Sequence, residues 1–164
     1  MFFSEIFSVE DCRFYDATEY SESNNVENSK HGTYDWLSSF SLEVDFKASA
    51  VNGARFMLTD SSVSSISDNR YILTSAGFAT SGVKIAQIYT TSNSTQNGST
   101  GSANTYMHFK FEKYSDNTVK VYVDDVLLNT GTLRTYSENT FDTRTVSYNG
   151  RKTLYWKNLK IKPL

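Results

Sequence analysis

At 164 residues the chain is long enough to bury a core without metal or disulfide staples, and its lone Cys12 excludes an internal disulfide. A formal charge of −2 argues against a nucleic-acid binder. No apolar run approaches the ~20 residues that a membrane-spanning helix needs.

Eleven Tyr, eleven Phe and two Trp stand among abundant Ser, Thr and Asn, a mixture that favours strands and turns over helices. The opening MFFSEIFSV carries no Lys or Arg, so there is no recognisable signal peptide. Residues 1–16 hold two short apolar patches, Phe2–Phe7 and Phe14-Tyr15, expected to give one edge strand. Residues 16–33 are polar and without period, and read as a long surface loop. Phe40, Leu42, Val44 and Phe46 then alternate with Ser41, Glu43, Asp45 and Lys47, which predicts a half-buried strand. Shorter strands are expected at Arg55–Thr59, Arg70–Ser75 and Val83–Tyr89, each bounded by turn residues. Residues 90–105 (TTSNSTQNGSTGSANT) can bury no apolar surface and are expected to be a mobile loop or tip.

The central stretch follows. Met107, Phe109 and Phe111 alternate with His108, Lys110 and Glu112, and Val119, Val121 and Val123 with Lys120, Tyr122 and Asp124. Setting Glu112 opposite Lys120 leaves Ser115-Asp116-Asn117 as the loop, with Asn117 in the left-handed conformation. A slip of two residues would oppose Lys110 to Lys120, which like-charge repulsion disfavours. A turn at Asp124-Asp125 returns Val126-Leu127-Leu128. Beyond it, strands at Thr140–Tyr148 and Thr153–Ile161 are expected to form a hairpin with a two-residue turn at Asn149-Gly150. Strands at this spacing predict an all-β, antiparallel two-sheet jelly-roll sandwich, with residues 1–164 a single domain. Phe109, Phe111, Val121 and Val123 should share its core with Leu42, Val44 and Phe46.

The run Val119-Lys120-Val121-Tyr122-Val123-Asp124-Asp125-Val126-Leu127 resembles the V-x-V-Y-V-D-G-x-L signature of the concanavalin A-like lectin/glucanase superfamily, which includes laminin G- and pentraxin-like β-sandwiches. Trp156-Lys157-Asn158-Leu159-Lys160-Ile161 is similar to that superfamily's closing strand. The likeness rests mainly on residues 105–164 and departs at Asp125, where the family usually has Gly. It implies a concanavalin A-like fold. A structural calcium is left open, with Asp11, Asp16, Asp60 and Asp68 as loop ligands that form no consecutive D-x-D-x-D motif. No other cofactor is indicated.

Leu42-Glu43-Val44-Asp45-Phe46 matches the start of the E-x-D-x-x-E strand motif that glycoside hydrolases of the same fold carry, but its last position is Ala48. Without a second carboxyl there is no proton donor for the leaving group, so no catalytic residue is assigned and a glycoside hydrolase is the least favoured reading. No zinc spacing, P-loop or nucleophile elbow occurs. What remains is binding, in which aromatic rings stack on sugar rings while polar side chains fix hydroxyls. Trp36 and Trp156 lead the candidates, followed by Tyr71, Tyr89, Tyr122, Arg55 and Arg70. Trp156 is off-phase with Leu159 and Ile161, so it should leave the core face unless a bulge intervenes.

The function expected is a non-catalytic module that recognises a glycan or glycosylated surface receptor. It would belong to a virion, as a viral tail or fibre domain, or to the cell surface, as an extracellular adhesin module. It would act as a homo-oligomer or within a larger assembly, with no nucleic-acid partner and no membrane insertion. The rival reading is a structural virion or adhesin spacer that binds no sugar.

Overall fold

The computed structural model describes residues 14–24, 28–62, 72–89, 94–134 and 139–164. In chain order the strands are β1 (Phe14–Asp16), β2 (Tyr20–Asn24), β3 (Asn28–Asp35), β4 (Phe40–Ala48), β5 (Ala54–Asp60), β6 (Ile72–Phe78) and β7 (Val83–Ile88). They continue with β8 (Ser94–Thr100), β9 (Met107–Lys113), β10 (Thr118–Val123), β11 (Val126–Thr132), β12 (Thr140–Ser147) and β13 (Lys152–Pro163). There is no helix among the described residues. Two antiparallel sheets form a jelly-roll sandwich. The first runs β1-β13-β4-β9-β10-β11, with β2 also on β13, and the second runs β3-β12-β5-β6-β7-β8.

Alternation builds the core as the sequence predicts. Leu42, Val44 and Phe46 of β4, Phe109 and Phe111 of β9, and Val121 and Val123 of β10 all point inward and are buried. They meet Phe56, Leu58, Phe78, Ile88 and Phe141 from the second sheet. Phe46 lies 5.6 Å from Phe109 and 6.4 Å from Phe56, ring centre to ring centre. Glu112 faces Lys120, as like-charge avoidance requires. The Tyr114 amide donates to the Thr118 carbonyl (2.9 Å), which leaves a three-residue loop closed by Asn117 at φ 66°. Asp124 and Asp125 both take positive φ (51° and 66°), the paired left-handed geometry of a tight hairpin turn.

Asn149-Gly150 departs from expectation. Both residues are left-handed (φ 58° and 97°), yet the strands they join do not pair. β12 lies between β3 and β5 in the second sheet, whereas β13 lies against β4 in the first, so the turn arches across the sandwich. The dipeptide fixes local backbone shape, but each strand's destination is set by the long ladder it can enter, and β13 pairs with β4 from Leu154 to Pro163. Lys152, only 3% exposed, ties the arch together. Its ammonium donates to the carbonyls of Tyr148, Asn149 (3.1 Å) and Gly150 (3.2 Å).

Two segments expected to be loops are strands. Residues 16–33 contain β2, paired with the start of β13, and most of β3, paired with β12. Residues 90–105 contain β8, which closes the edge beside β7. All three are edge strands, stabilised by backbone hydrogen bonds, and their polar side chains need no core face.

Candidate functional site

β1 and β2 pair with the outer side of β13, and β3 is the edge of the opposite sheet, so both sheets end on the same flank. Between these edges lies a cleft of about 520 Å³. Trp156 of β13, Leu159, Phe14 of β1 and Tyr34 of β3 give it apolar walls, and Asp16, Thr18, Tyr20, Lys30 and His31 supply polar ones. The sequence positions Trp156 through a bulge. Asn158 takes φ 55°, and the β13–β4 register shifts between Lys157 and Lys160. Trp156 therefore stays on the inner face with Leu154, and Leu159 and Ile161 regain that face after the bulge. The condition attached to Trp156 is met: a bulge intervenes and absorbs the phase change, so the ring keeps the core face and is 6% exposed.

Rings gather on this tryptophan. His31 stacks at 3.8 Å between centroids and Tyr20 at 5.4 Å. His31 Nε2 is 2.9 Å from Thr145 Oγ1 and 3.1 Å from Glu22 Oε1, contacts that fix the imidazole plane. Tyr20 donates its hydroxyl to Asp16 Oδ2 (2.5 Å), and the Thr18 amide donates to Asp16 Oδ1 (2.9 Å). These hydrogen bonds, that from Tyr20 first, hold the Asp16 carboxyl below its usual range, while the carboxylate pushes the Tyr20 phenol up. Tyr20 itself is 42% exposed. Tyr34 packs edge-on to Phe14 (5.2 Å) and near Phe141 (5.7 Å), and burial raises its phenol. Its ring passes over Gly32, where a Cβ would lie 2.5 Å from the phenolic oxygen. Lys30 projects half-exposed, 3.7 Å from the Asp142 carboxylate. The arrangement offers ring surface flanked by a carboxylate, an ammonium and a phenol, which suits binding of a ring bearing hydroxyls.

Of the residues singled out from sequence, Trp156 lines this cleft, as a wall covered by other rings rather than a bare platform. Arg55 and Tyr89 meet elsewhere, on the outer face of the second sheet. There Gln87 Oε1 accepts from Arg55 Nη1 (2.5 Å) and from the Tyr89 hydroxyl (2.9 Å). Tyr89 is 1% exposed, so it is an interior residue of a small cluster with Met57, Ile72 and Val146 and presents no ring to a ligand. Trp36 is half-buried between Phe141 (4.7 Å) and Phe40 (5.7 Å), away from the cleft. Tyr122 lies on the outer face of the first sheet beneath the Lys110 ammonium (4.2 Å). Tyr71 and Arg70 lie outside the described residues, as do Asp11 and Asp68. The other two acids considered for calcium do not converge: Asp16 caps β1 through Thr18, and Asp60 at the end of β5 accepts from the Ser62 amide (2.9 Å). Among the described residues no group of three or more His, Cys, Asp or Glu side chains is poised for a metal ion.

The Glu43 and Asp45 carboxylates both bind His108, on the outer face of the first sheet. Ala48 faces the core at 0% exposure, so the position where the hydrolase motif would carry its last acid points away from them. Sequence reasoning missed Tyr20, Lys30 and His31 as cleft residues because they stand on edge strands without apolar alternation. The one available sign was Tyr20 and His31 within an otherwise polar run.

No family model and no curated protein matches the sequence. Solved structures do share the fold. The chain is similar to a sialidase (TM-score 0.61, 10% identity), covering 88% of this chain and 15% of that one. It is similar to an alginate lyase, AlyC3 (TM-score 0.58, 10% identity, 88% and 74% covered). It is also similar to the carbohydrate-binding module CBM66 from Bacillus subtilis (TM-score 0.54, 18% identity), covering 83% of this chain and 82% of that one. The chain thus spans a small part of the sialidase and most of the binding module. At these identities the likeness establishes the jelly-roll sandwich.

Proposed function

We propose that this chain is a non-catalytic carbohydrate-binding module of the concanavalin A-like kind, with its ligand seated in the cleft between β1–β2 and β3. The observation that carries the reading is the convergence there of Trp156, Tyr20, His31 and Tyr34 with Asp16 and Lys30. Mutual coverage with a carbohydrate-binding module adds support to the binding part of this reading. The chemistry at Glu43 and Asp45 favours binding over hydrolysis, because one histidine engages both carboxylates and neither has a second acid across a cleft. In the organism the module serves on a virion or cell surface, as part of a tail, fibre or adhesin assembly that contacts a glycosylated receptor. A shallow site of this kind binds weakly, in the range of about −4 to −6 kcal/mol, and displaying several copies raises avidity without new contacts.

The test is a glycan array probed with the chain displayed multivalently, followed by titration of the best ligand against Tyr20→Ala. We expect a bound glycan, and loss of its binding in the variant with the melting temperature held within a few degrees. An array with no binder, or a ligand indifferent to Tyr20, overturns the cleft as a sugar site and leaves the structural spacer as the reading.

A further inference from the structure

The outer face of the first sheet has a composition that the rest of the chain does not. Alternation places Lys157, Lys160 and Lys162 of β13, Lys47 of β4, Lys110 of β9 and Lys120 of β10 on this one surface. The strand acids beside them are Glu43, Asp45 and Glu112. Six lysines against these three carboxylates and that of Glu19, which accepts from the Tyr106 hydroxyl, give the face an excess of positive charge in a chain whose formal net charge is −2.

The lysines are arranged with tyrosines. The Lys47 ammonium sits 4.6 Å from the Tyr106 ring centre and 4.7 Å from that of Tyr155. Lys157 approaches Tyr106 to 4.3 Å, and Lys120 lies 5.3 Å from Tyr114. Lys110 and Lys160 reach Glu112 (3.4 Å) and Glu43 (3.9 Å), but among the described residues no ion pair holds Lys47, Lys120, Lys157 or Lys162. An ammonium resting on a ring keeps its full charge and is held in place by the ring quadrupole, so it can meet an incoming anion without first leaving a carboxylate.

We infer that this face binds an acidic polysaccharide, a chain of uronate-type sugars laid across β13, β4, β9 and β10. The lysines would meet the sugar carboxylates, and the tyrosine rings and hydroxyls would contact the pyranose faces and hydroxyls between them. The three carboxylates favour a polysaccharide over a nucleic acid. Their remaining lone pairs can accept from the free hydroxyls that each uronate carries, an offset to charge repulsion that a DNA backbone, which has no hydroxyl to donate, lacks. The inference is independent of the cleft between β1–β2 and β3, because no residue is shared between the two surfaces.

The test is affinity electrophoresis of the whole chain in gels containing polygalacturonate, with a neutral β-glucan and a single-stranded DNA of matched length as comparisons. We expect retardation by polygalacturonate that weakens as sodium chloride is raised. The neutral glucan and the DNA should retard the chain much less. The double variant Lys47→Glu/Lys157→Glu should lose at least tenfold in apparent affinity while Tyr20→Ala retains it. Should the first double variant fail to fold, as judged by circular dichroism, Lys110→Glu/Lys120→Glu on the other half of the face decides. Unchanged retardation in a folded double variant overturns the inference, and so does equal retardation by DNA or by the neutral glucan. Loss in Tyr20→Ala alone would place acidic-glycan binding in the cleft instead.

Discussion

The His108 imidazole of β9 lies 2.9 Å from the Glu43 carboxylate of β4, and its other ring nitrogen lies 2.8 Å from Asp45. Both nitrogens donate only when the ring is protonated. The hydrogen bond to Glu43 is the largest influence and outweighs burial. With Asp45 adding to it, His108 is raised from 6.5 to about 9, and the same contact lowers Glu43.

The pH dependence follows from these signs. His108 binds its proton more tightly folded than unfolded, so its stabilisation is complete below about pH 6.5 and is lost as pH rises through about 9. Glu43 acts at the other end, contributing above its ordinary value of 4.5 and losing that contribution as pH falls through its lowered value. Urea unfolding midpoints should therefore fall between pH 6.5 and pH 9, and His108→Gln should flatten that fall. A wild-type midpoint that stays level across this window would remove the ion triad from the stability account.

Trp156 and Tyr20 touch each other but should respond differently to truncation. Trp156→Ala empties a site in the sandwich core and should cost about 3–5 kcal/mol in chemical denaturation. Tyr20→Ala removes a ring already 42% exposed and should cost about 1 kcal/mol or less. Equal costs would mean that the ring stack on Trp156 is structural on both sides.

The contrast between these two residues shows what the sequence could reveal. The β9–β10 register was readable because apolar alternation and the Glu112–Lys120 pairing both point to it. The off-phase position of Trp156 was readable too, and Asn158 was the residue able to absorb it. The cleft was not readable, because its polar half comes from β2 and β3. Edge strands hold their place by backbone hydrogen bonds, which leave no hydrophobic period to find. The Asn149-Gly150 arch failed for a related reason: a dipeptide specifies φ and ψ, whereas strand pairing is decided by ladders many residues away.

The arch itself can be probed at Gly150. Its φ of 97° disfavours any side chain, but a Cβ there would meet nothing within 4 Å. Gly150→Ala should therefore report backbone strain alone, about 1–2 kcal/mol in equilibrium unfolding. Lys152→Met should also destabilise, by about 1.5–3 kcal/mol in total, because the carbonyls of Tyr148, Asn149 and Gly150 lose their shared charged donor while the exposed turn lets water take over part of that role. If Gly150→Ala is neutral, the turn relaxes without disturbing either sheet.

Gly32 controls the shape of the cleft through Tyr34. A Cβ at this position would lie 2.5 Å from the Tyr34 oxygen and 2.8 Å from Cζ, closer than side-chain carbons come. The clash is with the end of a side chain, so the backbone of β3 can stay in place while the ring moves. Phe14 and Phe141 flank that ring at 5.2 and 5.7 Å, which leaves the cleft as the open direction. Gly32→Ala should therefore keep the sandwich folded, with a melting temperature lowered by a few degrees as Tyr34 gives up packing. The displaced ring would occupy part of the volume where the sugar is proposed to sit, so affinity for a cleft-bound glycan should fall at least tenfold. Binding to the lysine–tyrosine face should be untouched, since β3 belongs to the other sheet. Titration of the variant with the array-selected glycan checks this. Full affinity in a folded Gly32→Ala protein would show that the ligand does not depend on the Tyr34 wall, and the cleft would have to be redrawn around Trp156 and Tyr20 alone.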